Sequence, residues 1–260
     1  MENKFCSIIM THYAGSDMSS SMDKKERSEM LKTCLRSLWK NTKYPYELIV
    51  VDNGGSAEDS WWLYENTDVG SINTYIRNSR NMNYAYARNQ ALLNAHGDYI
   101  CIIDNDLELK SGWLSACVSA LEAFPNRRLY ATPLAYPTVG DYKSRYIKGN
   151  IATDTTSYTL DSRAGSNCFV IRSGDMSHIG GFDCHRMSGS KWADRATKLG
   201  FYACIVPGNL AVDRGLRRGY NMRNAMPIKK VLQPNKQEVY FNEDEYRKEY
   251  PNERYLRFNK

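Results

Sequence analysis

Short apolar runs alternate along this chain with longer stretches in which apolar residues return every three or four positions. The first pattern fits strands buried on both faces. It predicts strands at Phe5–Met10, Glu47–Val51, Ser71–Ile76, Tyr99–Ile103, Leu129–Ala135, Ser166–Ile171 and Phe201–Val206. The second pattern predicts helices. In Arg27–Asn41, Met30, Leu31, Cys34, Leu35, Leu38 and Trp39 share one face. Ser60–Glu65 gives a short helix, and Asn81–Ala95 leads from a turn into another that stops at His96-Gly97. Ser111–Phe124 is closed by Pro125, and Ser173–Ile179 and Lys191–Leu199 follow, the last ended by Gly200.

Strand, helix, strand in this order is the right-handed crossover unit of a parallel sheet. An α/β domain follows, with a central, mostly parallel mixed sheet flanked by helices. Gly15–Asp23 reads as a polar loop, and Tyr136–Asp161 as weakly patterned hairpins or a substrate loop. There is no internal repeat and no clean linker. Residues 1–225 are expected to form the domain, and 226–260 a charged extension with a peripheral helix over Asn242–Arg257.

Composition narrows this picture without redirecting it. With 42% hydrophobic and 25% charged residues in 260, a sizeable core is expected and wholesale disorder is not. A net charge of +6 suits a phosphate-bearing ligand but is too weak to indicate nucleic-acid binding. The seven cysteines are odd in number, form no C-x-x-C pair and lie largely in apolar runs, which predicts buried free thiols in a reducing, cytoplasmic setting. The start of the chain does not read as a signal peptide, and no segment reaches the ~18 apolar residues needed to cross a bilayer.

Candidate chemistry gathers at the ends of the predicted strands, where ligands of parallel sheets bind. Tyr99–Ile103 stops at Asp104-Asn105-Asp106. Two acids one residue apart can share a divalent cation whose other ligands are phosphate oxygens. They can equally be a polar turn. Glu47–Val51 ends in Asp52-Asn53-Gly54-Gly55-Ser56, where the acid is either an acceptor for a ligand N–H or a helix cap or turn acid.

The ordered set of motifs is more specific than any one of them. It runs from C-S-I-I-M-T at Cys6 through L-x-x-C-L-R-S-L, E-L-I-V-V-D-N-G-G-S, N-x-N-Y-A-Y-A-R-N-Q-A-L and G-D-Y-I-C-I-I-D-N-D to G-G-F-D at Asp183. Together these resemble the family 2 glycosyltransferases, a GT-A group that uses nucleotide-sugar donors, over roughly residues 6–219. The resemblance implies a GT-A, Rossmann-like fold. It also implies a metal-dependent transfer of a sugar from a UDP- or GDP-type donor, UDP foremost, to an acceptor hydroxyl with inversion.

Carried onto this chain, the resemblance assigns Thr11, Tyr13 and Asp52 to the nucleotide base. Arg88 falls to the base-binding acid or the diphosphate, and Asn83 stands where relatives commonly have glycine. Asp104 would face the ribose or sugar and share with Asp106 a Mn²⁺ or Mg²⁺ ion. Asp213 stands where relatives often carry a histidine ligand, and Arg214, Arg217 and Arg218 could close over the diphosphate. The base that takes the acceptor proton is often in an E-D pair at the start of the helix after G-G-F-D. This chain lacks the pair, leaving Asp194 foremost, with Asp183 and His185 behind it. The acceptor is expected to be a glycan or other hydroxyl compound. The basic stretch from Arg214 to Lys230 leaves a nucleic-acid or protein acceptor open. Two rival readings are an inactive nucleotide-sugar binder and a nucleotidyltransferase. The latter is disfavoured because no glycine-rich, lysine-bearing phosphate loop lies near the N-terminus.

Overall fold

A computed structural model of the chain describes residues 4–13, 24–133, 147–162, 167–183 and 188–214. The first strand, β1 (Cys6–His12), lies between β2 (Tyr46–Asn53) and β4 (Tyr99–Asp104), parallel to both, with β3 (Thr74–Asn78) parallel outside β2. Beyond β4 the sheet reverses. β9 (Cys168–Arg172) pairs antiparallel with β4 and with β6 (Leu129–Thr132). β10 (Tyr202–Ile205) runs parallel to β6, and the hairpin of β7 (Ile147–Ala152) and β8 (Ser157–Asp161) completes the edge. The order β3-β2-β1-β4-β9-β6-β10-β8-β7 makes the mixed sheet that the sequence predicts, with parallel pairing from β3 to β4 and between β6 and β10.

β1, β2, β4 and β9, at the centre of this sheet, are covered on both faces, which is why they read as apolar runs. Ile8, Met10, Leu48, Val50, Cys101 and Ile103 point to one side. There they pack on Leu31, Leu35 and Leu38 of α1 (Lys24–Asn41) and on Trp113, Leu114 and Leu121 of α4 (Trp113–Ala123). Ile9, Ile49, Val51, Ile100 and Ile102 point to the other, toward Ala85, Ala87 and Ala91 of α3 (Tyr84–Leu92). The alanine face lets α3 lie close on the sheet. Each fully buried Leu, Ile or Phe stabilises by about 1.5–3 kcal/mol relative to exposure.

Past β9 come α5 (Ser173–Ile179) and α6 (Ser188–Lys198), where Trp192 stacks on Phe169 at 4.6 Å between ring centroids. α2 (Ala57–Asp68) is longer than expected, because Ser56 caps it by accepting from the Asp59 N–H and starts it three residues before Ser60.

One element has no counterpart in the sequence reading. β5 (Leu107–Leu109) pairs antiparallel with β11 (Ala211–Asp213), with Asp213 opposite Leu107. Strands of three residues are too short to show periodicity. Cys6, Cys34, Cys101, Cys117, Cys168 and Cys204 are all free and buried. No helix among the described residues is long and apolar enough to cross a membrane. The expected loop at Gly15–Asp23, His185, the basic stretch from 215, the boundary at 225 and the C-terminal helix lie outside the described residues.

Candidate functional site

The parallel register brings the ends of β1, β2 and β4 to one edge: Thr11 lies beside Asp104, and His12 beside Asp52. The acidic turn Asp104-Asn105-Asp106 leaves β4 there and continues into β5. Because β5 pairs with β11, residues more than a hundred positions apart meet: the Arg214 N–H donates to the Asp106 carbonyl at 2.9 Å. On the other flank, the Asp104 N–H donates to the Asn167 carbonyl at 2.8 Å, just ahead of β9.

Three carboxylates thus share one small region, and each is held differently. Asp104 accepts a hydrogen bond from the guanidinium of Arg88, which is buried and lies over the rings of Tyr84 at 4.8 Å and Phe182 at 5.1 Å. Asp213 accepts from the Asn167 side-chain amide at 2.6 Å. Asp106 has a buried Oδ1 with no hydrogen-bond partner among the described residues, and the Asn167 Oδ1 is in the same position. Burial, then the charges of Asp104 and Asp213, push the Asp106 carboxyl up to about 8. Asp104 is raised as well, by burial first and by Asp213, against the pull of Arg88.

An unsatisfied buried acceptor surrounded by like charge is costly in isolation and becomes favourable when a cation arrives. No group of three or more His, Cys, Asp or Glu that could hold a metal ion is found among the described residues. The donor set is instead open. Asp106 has a spare oxygen, Asp104 and Asp213 are each tethered to a neighbour, and room is left for ligands from a bound phosphate. That is chemistry a hard divalent cation fits.

Beside the turn lies a cleft of about 450 Å³, lined by Glu26, Glu29, Met30 and Thr33 of α1 and by Asp106, Leu107, Glu108 and Arg214. At its rim Arg214 is paired with Glu108, so its guanidinium is engaged by a carboxylate of the chain itself.

The residues expected at a nucleotide base divide into two kinds. Thr11 and Tyr13 are half-buried at the end of β1. Asp52 has no exposed surface. It accepts from the Gly55 N–H at 2.6 Å, the Tyr75 hydroxyl at 3.0 Å and the Ser60 hydroxyl, with Arg77 at 3.7 Å. Its contacts are those of a turn acid: it builds the β2–α2 turn, while the cap of α2 is Ser56. Arg88 reaches Asp104, and the arginine beside Asp52 is Arg77.

An all-amide ladder of Asn53, Asn78, Asn81 and Gln90 ties that turn to the β3–α3 loop. Gly54 (φ +83°) lies against it so closely that a Cβ would come 2.5 Å from the Arg80 carbonyl carbon. Asn83 adopts φ 72° and caps α3 through the Ala85 N–H, so asparagine carries the positive φ where glycine was expected of relatives.

On the far side, the G-G-F-D turn is fastened from two elements. The Asn89 side chain exchanges hydrogen bonds with the Phe182 backbone at 2.7 and 2.8 Å. Arg195 donates to the carbonyls of Ile179 and Gly181 and pairs with Asp183 at 3.0 Å. α6 is pinned by the Gly189 N–H donating to the Tyr84 hydroxyl at 2.8 Å. Its first turn contains no acid, and Asp194 sits half-buried further along. Sequence reasoning passed over Asn167, Asn89 and Arg195. Asn89 and Asn167 act on partners 93 and 46 positions away, and the partners of Arg195 lie in the preceding turn, so no local pattern marks their roles.

The profile of glycosyl transferase family 2 matches residues 24–178. A Drosophila melanogaster protein with the provisional name polypeptide N-acetylgalactosaminyltransferase 13 is 29% identical over 139 residues, 50% of this chain and 24% of that protein. An uncharacterized protein of Sinorhizobium fredii is 28% identical over 116 residues, 44% of this chain and 13% of its own length. The chain therefore spans at most about a quarter of these relatives.

Among solved structures, GalNAc-T7 with UDP, GalNAc and Mn²⁺ superposes with a TM-score of 0.59 at 16% identity, over 78% of this chain and 42% of that one. S. aureus TarS 1–349 does so with a TM-score of 0.58 at 14% identity, over 89% and 66%. At these identities the likeness is one of fold.

Proposed function

The chain belongs to glycosyl transferase family 2 and has the GT-A fold, and from that premise we propose that it transfers a sugar from a nucleotide donor to an acceptor hydroxyl, with help from a divalent cation. The observation that carries this reading is the buried, unpartnered Asp106 oxygen beside Asp104 and Asp213. UDP is the favoured nucleotide and Mn²⁺ or Mg²⁺ the favoured ion, supported by the structural relative that holds UDP and Mn²⁺.

In this reading Asp106 is the principal protein ligand, and Asp213 and Asp104 add charge and a second point of attachment. A bound cation would neutralise charge developing on the departing nucleoside diphosphate. Arg88 keeps Asp104 oriented toward the donor's ribose or sugar. Thr11 and Tyr13 flank the base, while Asp52 shapes the turn on which the base rests. Arg214 exchanges Glu108 for the diphosphate when a donor binds.

Transfer proceeds with inversion, and the acceptor hydroxyl gives its proton to Asp194. Asp183 is the second candidate, and its carboxylate is already spanned by Arg195. The acceptor is a glycan or another hydroxyl compound, and the buried free thiols support a reducing, cytoplasmic setting.

The test is a thermal-shift series with UDP and GDP, each with and without Mn²⁺, followed by nucleoside diphosphate release from matching donor sugars. The expected result is stabilisation by UDP only when Mn²⁺ is present, lost in Asp106→Ala. Equal shifts with and without the ion, in both proteins, would remove the metal-dependent reading.

A further inference from the structure

Behind the acidic turn runs a buried chain of side chains that donor binding does not itself require. Asn105, between the two acids, donates its side-chain N–H to Nδ1 of His12 at 2.7 Å. An amide nitrogen only donates, so Nδ1 is an acceptor and the ring proton sits on Nε2. Nε2 then donates to Oδ2 of Asp59 at 3.0 Å. Oδ1 of Asp59 accepts from the Ser28 hydroxyl on α1, and the Asp59 N–H is bound to Ser56 at the cap of α2.

The His12 and Asp59 side chains are 0% and 1% exposed. The ring is also walled by the β2–α2 turn, since a Cβ on Gly55 would lie 3.2 Å from its Cδ2. The serine addresses the aspartate and not the imidazole, so this is not a nucleophile–base pair.

We propose that His12 is a positioning residue for the acidic turn: locked by Asp59 as its Nε2–H tautomer, it fixes Asn105 and thereby holds Asp104 and Asp106 in the arrangement a cation and diphosphate need. The proposal rests on the donor-site reading above. Its physical basis is geometric: the turn is fixed at Asp104 by the N–H bond to the Asn167 carbonyl and at Asp106 by the N–H of Arg214, and His12 fixes the residue between them. A neutral hydrogen bond to Asn105 restrains the turn without adding charge to the site. Outer residues that orient metal ligands characteristically act in this way.

Two substitutions of one residue separate the two halves of the chain. His12→Asn places an acceptor near Nδ1 and keeps the Asn105 contact, while His12→Gln keeps the reach to Asp59 and drops Asn105. Affinity for Mn²⁺ in the presence of UDP is expected to fall about 10–100-fold in His12→Gln and no more than about threefold in His12→Asn. Both lose stability, so a merely structural role would lower both affinities alike, and that result overturns the proposal.

Asn105→Ala repeats the test from the half-exposed end, independent of whether the buried variants fold. It should match His12→Gln, and the double variant should be no weaker than either single. Wild-type affinity in Asn105→Ala overturns the proposal. Nitrogen-15 NMR of the four histidines gives a readout that needs no metal: His12 should show a protonated Nε2 and a bare Nδ1. The opposite tautomer also overturns it. Failure of the donor-site reading looks different, because wild type itself would then show no Mn²⁺-dependent binding of UDP.

Discussion

Asp52 is the penultimate residue of β2 and Asp106 lies two residues past the end of β4, so both acids stand at the edge where a parallel sheet binds ligands. Their surroundings differ completely. Asp52 accepts from one backbone N–H and two hydroxyls and has no exposed surface. Asp106 keeps a buried oxygen without a partner among the described residues and faces two other carboxylates. A fully satisfied buried carboxylate stabilises its turn, whereas an unsatisfied one destabilises the empty protein and stabilises a cation. The comparison separates architecture from site on hydrogen-bond accounting alone.

Asp106→Ala should break it most severely, lowering metal-dependent turnover on the order of 100-fold or more. The melting temperature of the metal-free variant should match or exceed that of wild type, because a buried carboxyl with an unpaired oxygen is gone. A variant that is less stable but fully active would invert the assignment.

Asp52→Asn should do the reverse. Leaving the donors around it mismatched costs about 2–3 kcal/mol, which lowers the melting temperature by roughly 5–10 °C. Mn²⁺ affinity should stay within about twofold of wild type. A large fall in UDP affinity at unchanged stability would instead restore Asp52 as a direct contact to the base.

Titration sharpens the contrast through opposite signs. The Asp106 carboxyl is raised to about 8 in the folded protein, so its contribution is present below about pH 4 and lost as pH rises toward 8. Asp59 goes the other way: burial pushes it up, but hydrogen bonds from His12 and Ser28 outweigh that and hold it below the ordinary value. Its contribution is present above about pH 4 and lost as acid protonates it. Metal-free stability measured from pH 3 to 9 should flatten on the alkaline side in Asp106→Asn and on the acid side in Asp59→Asn. Identical profiles for both variants would remove the distinction.

The smallest expected effect is at Asp183, whose partly exposed pair with Arg195 is worth about 0.2–1 kcal/mol. Asp183→Asn should therefore reduce turnover only a few-fold, against on the order of 100-fold for Asp194→Asn. The opposite ranking would move the proton-accepting role to Asp183.

Much of this was written in the chain itself. The runs at Ile8–Met10, Leu48–Val51 and Ile100–Ile103 are buried on both faces, and local apolar density is enough to reveal such strands. The same holds for the helical face of Leu31, Leu35 and Leu38, for the acids that stop β4, and for Asn83 at a positive φ. What the sequence could not contain is which acid is satisfied. Asp52 finds Tyr75 twenty-three residues away, while one oxygen of Asp106 finds no partner among the described residues. Asp213 arrives beside the turn because two three-residue strands pair across a hundred positions, and Asn105 meets His12 from ninety-three positions away. A local pattern reports burial and period. Hydrogen-bond completion depends on partners brought together only by the folded sheet, and here it decides which carboxylates are structure and which are left for a ligand.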